Sequence, residues 1–183
     1  MPILFLVLLG GVAFVVISQS RGNSTGSLAT LQAARDALRA GVVETGPNTG
    51  PVVDEYLRAV GIAPPANWCA AAVSAWIRAG YKSLGRNPPV DGGAQAKGFI
   101  TKFEKLGRWI PKDKIRNEVP PGSVIIWWRG DPASWTGHIG IVEQFDGTTF
   151  QTIEGNSGPK GDRVARMVRK LNDEHLLGIG VLP

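Results

Sequence analysis

The chain has one cysteine, Cys69, in 183 residues, which excludes an intrachain disulfide. A lone thiol is either core filler or a reactive group. There is no internal repeat and no low-complexity tract, which excludes a solenoid or a disordered linker protein. No run of Lys and Arg with interleaved aromatics occurs, so no nucleic-acid partner is expected. Charge of either sign is absent from positions 1–20. What is present is a basic balance, Lys+Arg 20 against Asp+Glu 15, which favours an acidic partner such as anionic lipid or cell-wall polymer. Hydrophobic residues make up 43%, enough for one ordinary core, while Gly 24 and Pro 13 announce many turns and short strands.

The uncharged N-terminus is apolar from Ile3 to Ile17 apart from Gly10 and Gly11. As a helix this stretch would span about 22 Å at 1.5 Å per residue, and the flanking residues of 1–20 bring it close to bilayer thickness. A cleaved signal peptide would want a basic start and small residues at the cut, and Val16-Ile17-Ser18 supplies neither. The expectation is an N-terminal hydrophobic helix over 1–20, a membrane anchor in preference to a signal segment, with a linker over 21–27 and a domain over 28–183. Membrane contact through residues 1–20 of a membrane-anchored or exported protein follows. Arg21, placed just after the segment, argues for a domain on the cytoplasmic side.

Beyond the linker, helical periodicity predicts helices over 27–40, 52–60 and 67–79, and a further one within 94–106. Asn67 is a natural N-cap for the third, and Gly80 occupies the position of a C′ residue. After Pro120-Pro121-Gly122 the character changes. Strands are predicted over 123–128, 138–145, 148–154, 164–168 and 176–182. Helices followed by antiparallel strands give an α+β domain.

Cys69 falls in the first turn of its helix, where free N–H groups and the positive dipole end favour a thiolate. It also lies on the apolar stripe, as buried structural cysteines do. His138 opens a strand between Gly137 and Gly140, whereas His175 sits in a polar surface stretch. A cysteine–histidine pair needs a third polar group to hold the imidazole, and Glu154 and Asn156 both qualify. The hairpin sets a condition. A strict two-residue turn at Asp146-Gly147 pairs Phe145 with Thr148 and sends Glu154 to the face away from His138. A loop over 145–147 sets His138 across from Glu154, and one over 146–148 pairs it with Asn156. The catalytic reading therefore requires an odd loop or a bulge.

Four segments in order carry a family resemblance. Asn67-Trp68-Cys69-Ala70-Ala71-Ala72-Val73 resembles the Trp-Cys helix start of CHAP (cysteine, histidine-dependent amidohydrolase/peptidase) domains. Pro121-Gly122-Ser123-Val124-Ile125 is similar to their Pro-Gly-Asp strand start, with Ser123 in place of the usual Asp. Gly137-His138-Ile139-Gly140-Ile141-Val142 resembles the histidine strand, and Glu154-Gly155-Asn156 the closing Glu-x-Asn. The segment from Val43-Glu44-Thr45-Gly46 to Tyr56-Leu57 is similar to the family's upstream region. The resemblance, over roughly 28–183, implies a papain-like fold and a peptidoglycan substrate. Cys69 would attack an amide or peptide carbonyl, His138 would act as base and then acid, Glu154 would orient His138, and Asn156 would be a secondary polar group. The Cys69 N–H would be one oxyanion donor, with Asn67 a candidate for the second. The stretch Glu44 to Glu55 lacks the acidic calcium loop that some CHAP domains carry, so neither metal nor cofactor is expected. A membrane-tethered hydrolase suits a phage lysis protein, a virion-associated muralytic enzyme or a bacterial wall-remodelling enzyme. The non-enzymatic alternative is a membrane-anchored structural or wall-binding protein with a buried Cys69 and with His138 and Glu154 on opposite faces of the hairpin.

Overall fold

A computed structural model of the chain describes residues 24–90, 92–116 and 118–183, and the backbone alone of β1 (Leu8–Leu9) and β2 (Val12–Ala13). The rest of the expected N-terminal helix lies outside the described residues. The four that are described pair as a short antiparallel ladder, Leu8 with Ala13 and Leu9 with Val12. This corrects the helix expectation at those four residues, whose backbone groups pair across a ladder rather than along a helix. Among the described residues no helix is long and apolar enough to cross a membrane.

The domain is α+β, as expected. Helix α1 (Thr25–Arg39) starts earlier than the periodicity suggests, because Ser24 caps it by accepting from the Ser27 N–H at 3.1 Å. Helix α2 (Pro51–Ala59) opens on a proline that has no N–H to waste. Helices α3 (Cys69–Ser83) and α4 (Gly98–Lys105) follow. Helix α3 runs straight through Gly80, so that residue is not a C′ stop. A Cβ on Gly80 would lie 2.5 Å from the Thr30 nitrogen of α1, so glycine is there to let two helices touch backbone to backbone.

Six antiparallel strands form one sheet in the order β3-β8-β4-β5-β6-β7. They are β3 (Trp109–Pro111), β4 (Val124–Trp128), β5 (Gly137–Phe145), β6 (Thr149–Ser157), β7 (Arg163–Lys170) and β8 (Leu176–Gly180). The short edge strand β3 was not foreseen, since three residues carry no readable period. Along β4, Val124 and Ile126 face the helices while Ile125 and Trp127 join a second apolar cluster with Ile115, Phe150 and Ile179. Burial on both faces is why this strand reads as an unbroken apolar run. Helix α3 packs on β5 and β6, which brings its first turn to the strands that carry the histidine and the glutamate.

Candidate active site

The β5–β6 hairpin meets the stated condition by an unforeseen route. Its tip pairs Phe145 with Phe150 and Gln144 with Gln151, a register that by itself would send Glu154 to the wrong face. Glu143 is then bulged out, and from Val142–Thr152 onward the pairing shifts by one. The bulged side chain is anchored from two elements, by Arg35 of α1 at 2.8 Å and by Arg166 of β7 at 2.5 Å. His138 and Glu154 therefore share a face, with His138 Nε2 2.7 Å from Glu154 Oε2. A Cβ on Gly140 would sit 2.7 Å from Glu154 Cγ, so this glycine is the space through which the glutamate reaches the ring.

Glu154 is 0% exposed and His138 2%. The carboxylate is saturated with donors. Thr152 Oγ1 donates to Oε1 at 2.6 Å and Ser157 Oγ to Oε2 at 3.1 Å. Arg169 forks onto both oxygens, Nε at 2.8 Å and Nη2 at 2.5 Å. Burial pushes the Glu154 carboxyl up, but Arg169 and His138 outweigh it and hold the group well below the usual carboxylate range. Glu154 thus stays an acceptor and fixes the proton on Nε2. His138 Nδ1 makes no hydrogen bond, and the ring's other polar neighbour is the Cys69 thiol. Trp127, paired with His138 across β4–β5, is core rather than groove. Its ring lies between the imidazole, at 5.8 Å, and the Arg169 guanidinium, at 5.3 Å.

Cys69 is the first residue of α3, one residue nearer the helix end than an Asn67 cap would put it. The N-cap is Trp68, and no side chain caps this end. Trp68 is occupied elsewhere, its indole donating to Glu44 Oε1 at 2.8 Å and its backbone N–H to Asn156 Oδ1 at 3.4 Å. The opening N–H groups of α3 are left without helical partners beside the thiol. Burial pushes the Cys69 thiol up. Interaction with His138, then Arg129 and the Ala70 N–H, more than reverses this and leaves it lowered. For His138 burial acts downward, and Cys69 and Glu154 together leave it raised. Both shifts favour a thiolate–imidazolium pair.

Asn156 does not join that pair, since none of its hydrogen bonds reaches Cys69 or His138. Held at φ 53°, it donates to Gly161 O at 2.8 Å, Glu44 Oε1 at 3.2 Å and Asn48 Oδ1 at 3.3 Å while accepting from Trp68. It clips the residue before the cysteine to β6. Gly155 completes the fit, because a Cβ there would come within 2.7 Å of Ala72 Cβ and 2.8 Å of the Trp68 ring. Gly155→Ala is expected to force α3 off β6 and destabilise the protein by about 1–3 kcal/mol, the usual cost of overpacking. Urea unfolding of both proteins measures it, and an unchanged midpoint would contradict the close fit.

A cleft of about 660 Å³ opens over Cys69, which is 8% exposed at its floor. Asn67, Gln95, Arg129, Trp135 and Asn156 are among its lining residues. Trp135 is 68% exposed on the rim, and Trp128 instead contacts the His175 ring, tilted at 42° with centroids 4.1 Å apart. Among the described residues no group of three or more His, Cys, Asp or Glu side chains converges on a common point. Sequence reading missed Arg169, Thr152, Ser157 and Arg129. Thr152 and Ser157 flank Glu154 on its own strand and were within reach. Arg169 depends on a β6–β7 register that the sequence does not print.

A family model described as the CHAP domain matches residues 61–156, just over half of the chain. No curated protein and no solved structure matches. The matched span contains Cys69, His138, Glu154 and Asn156 and ends before Arg169. CHAP domains are generally cysteine- and histidine-dependent amidohydrolases or peptidases with peptidoglycan as substrate. With helices packed on an antiparallel sheet and the cysteine helix set against the histidine strand, the chain belongs to the CHAP domain family.

Proposed function

We propose that this protein is a peptidoglycan hydrolase that cleaves an amide or peptide bond with Cys69 as nucleophile, as an N-acetylmuramoyl-alanine amidase or an endopeptidase. The observation that carries the reading is the hydrogen-bonded His138–Glu154 pair beside a thiol at the floor of an open cleft. Of the two marks of the non-enzymatic alternative, Cys69 is buried, but His138 and Glu154 share a face, which favours the catalytic reading.

In this reading His138 holds the thiol proton and the Cys69 thiolate attacks the carbonyl carbon. A C–S bond forms as the carbonyl oxygen takes the charge. The Cys69 N–H at the uncapped helix end faces that developing charge. The Asn67 amide, exposed on the cleft wall and without a hydrogen bond among the described residues, is the second donor. The C–N bond then breaks, and His138 passes its proton to the leaving amine. Water, deprotonated by His138, cleaves the thioester and returns the thiol. Glu154 and Arg169 stay ionised throughout and hold the ring.

The test is digestion of purified peptidoglycan by the full chain, with released amino groups and reducing sugar assayed together. New amino groups without new reducing ends are expected, and mass spectrometry of the fragments names the bond. Reducing ends without amino groups would overturn the reading.

The shifts set a pH dependence. A lowered Cys69 and a raised His138 widen the window in which thiolate and imidazolium coexist. Alkylation of Cys69 by iodoacetamide is expected to stay fast below pH 7, where an ordinary cysteine is almost wholly protonated. In His138→Ala the acid limb should move up toward the ordinary thiol range. An ordinary limb in the unmodified protein would contradict the ion pair.

A further inference from the structure

Among the described residues that line the cleft over Cys69, Arg129 is the one with a permanently charged side chain. Arg129 follows β4, and its side chain makes no hydrogen bond or ion pair with any described residue. It is near enough to Cys69 to favour the thiolate electrostatically. Its backbone is held firmly. The Arg129 N–H donates to Thr136 O at 3.3 Å, and Thr136 Oγ1 donates back to Arg129 O at 2.5 Å. Across the same loop, Lys97 Nζ donates to Pro132 O at 2.7 Å and Ser134 O at 2.5 Å, tying the loop to the start of α4. Lys97 is thereby spent on carbonyls, while Arg129 keeps its planar fork of donors. No Asp or Glu among the described lining residues competes for it.

A fixed backbone, an uncommitted fork and a cleft lining without a carboxylate describe a receptor for a planar anion. We propose that Arg129 binds a free carboxylate on the substrate residue next to the scissile bond, and so selects acidic or free-acid peptides over their amidated counterparts. This deepens the amide-cleaving reading and rests on it for the word substrate. The carboxylate site itself is testable without any hydrolysis.

Cys69 is the chain's sole cysteine, so intact mass counts its alkylation unambiguously. Iodoacetate and iodoacetamide both form one S–C bond with the thiolate and release iodide, and they differ in a carboxylate against a carboxamide. A change in thiolate content alters both rates alike, so their ratio isolates recognition of the carboxylate. In Arg129→Gln the iodoacetate-to-iodoacetamide rate ratio is expected to fall on the order of tenfold, the weight of one charge-assisted contact. Arg129→Lys should lie between, keeping the charge without the fork. An equal ratio in the unmodified protein and in Arg129→Gln would overturn the proposal. With a pair of muropeptides differing only in a free or amidated carboxylate, the unmodified protein should prefer the free acid and Arg129→Gln should not. Equal cleavage of the pair by the unmodified protein would also overturn the proposal. If neither muropeptide is cleaved, the hydrolase reading fails, and the alkylation ratio still decides for or against the carboxylate site.

Discussion

Cys69→Ala is expected to yield a folded protein whose hydrolysis of peptidoglycan falls to background, a loss of about 10⁴-fold or more. The size follows from the site. In the proposed mechanism Cys69 is the nucleophile, and no other described residue lining the cleft carries a thiol. The fold should survive because the substitution removes one sulfur from a residue at the cleft surface, where solvent can fill the space. The stability cost should stay near or below about 1 kcal/mol. Cys69→Ser should also be inactive, because the imidazole that ionises a thiol does not ionise a serine hydroxyl of much higher pKa. Circular dichroism and urea unfolding check the fold, and amino-group release checks the rate. Retained activity in Cys69→Ala would remove the cysteine from the chemistry and return it to the core.

Arg169→Leu is the second large effect, and it strikes stability as well as rate. The Glu154 carboxylate is wholly buried, and its two-pronged partner is Arg169, whose side chain is 27% exposed. Removing one member of a buried ion pair costs about 3–5 kcal/mol because the other charge is stranded. Thr152, Ser157 and His138 still hold the carboxylate, so the lower end applies, about 3 kcal/mol. The sign with pH follows. Glu154 is depressed in the folded protein, so its stabilising contribution is present above the ordinary carboxylate value and is lost as pH falls through the folded one. Arg169→Leu raises the folded value, and acid unfolding should begin at higher pH than in the unmodified protein. With the opposing positive charge gone, His138 should hold its proton more tightly, moving the alkaline limb of activity upward. A purely structural arginine would move stability and leave that limb in place. Arg169→Leu combined with Glu154→Leu should recover part of the lost stability while staying inactive. Unfolding followed at pH 7 and at falling pH, with the pH–rate profile, reads all three.

The site was only partly legible in the sequence. Helix α3 and strands β4, β5 and β6 stand out by period, and the Trp-Cys, Gly-His and Glu-Gly-Asn segments fall on them. Whether His138 and Glu154 could meet was a question of parity, and parity was decided outside the hairpin. The bulge at Glu143 is pinned by Arg35 and Arg166, partners 108 and 23 positions away along the chain. Asn67 looked like the cap of α3 because capping is a local preference. Trp68 displaced it because Glu44 and Asn156, both distant in sequence, fix the tryptophan first. Asn156 stood beside Glu154 in sequence, but its hydrogen bonds run to Trp68, Glu44, Asn48 and Gly161 rather than to the cysteine–histidine pair. Gly80 looked like a stop because sequence does not show that α1 leans on it. In each case a local rule yielded to a contact with another element.

The strand that supplies Arg169 also lies at the margin of the sheet. The first part of β7 is covered by residues 42–44, through Val164 N–H to Val42 O at 2.9 Å and Glu44 N–H to Asp162 O at 2.8 Å. Beyond it the strand carries Arg166, Arg169 and Lys170. Arg166 and Arg169 are tied there to Glu143 and Glu154, and the other margin, β3, is three residues long and ends in Pro111. Both open rims of the sheet thus resist strand-to-strand stacking between molecules. A covered margin and a three-residue one ending in proline are poor templates for a sheet that runs from one molecule into the next.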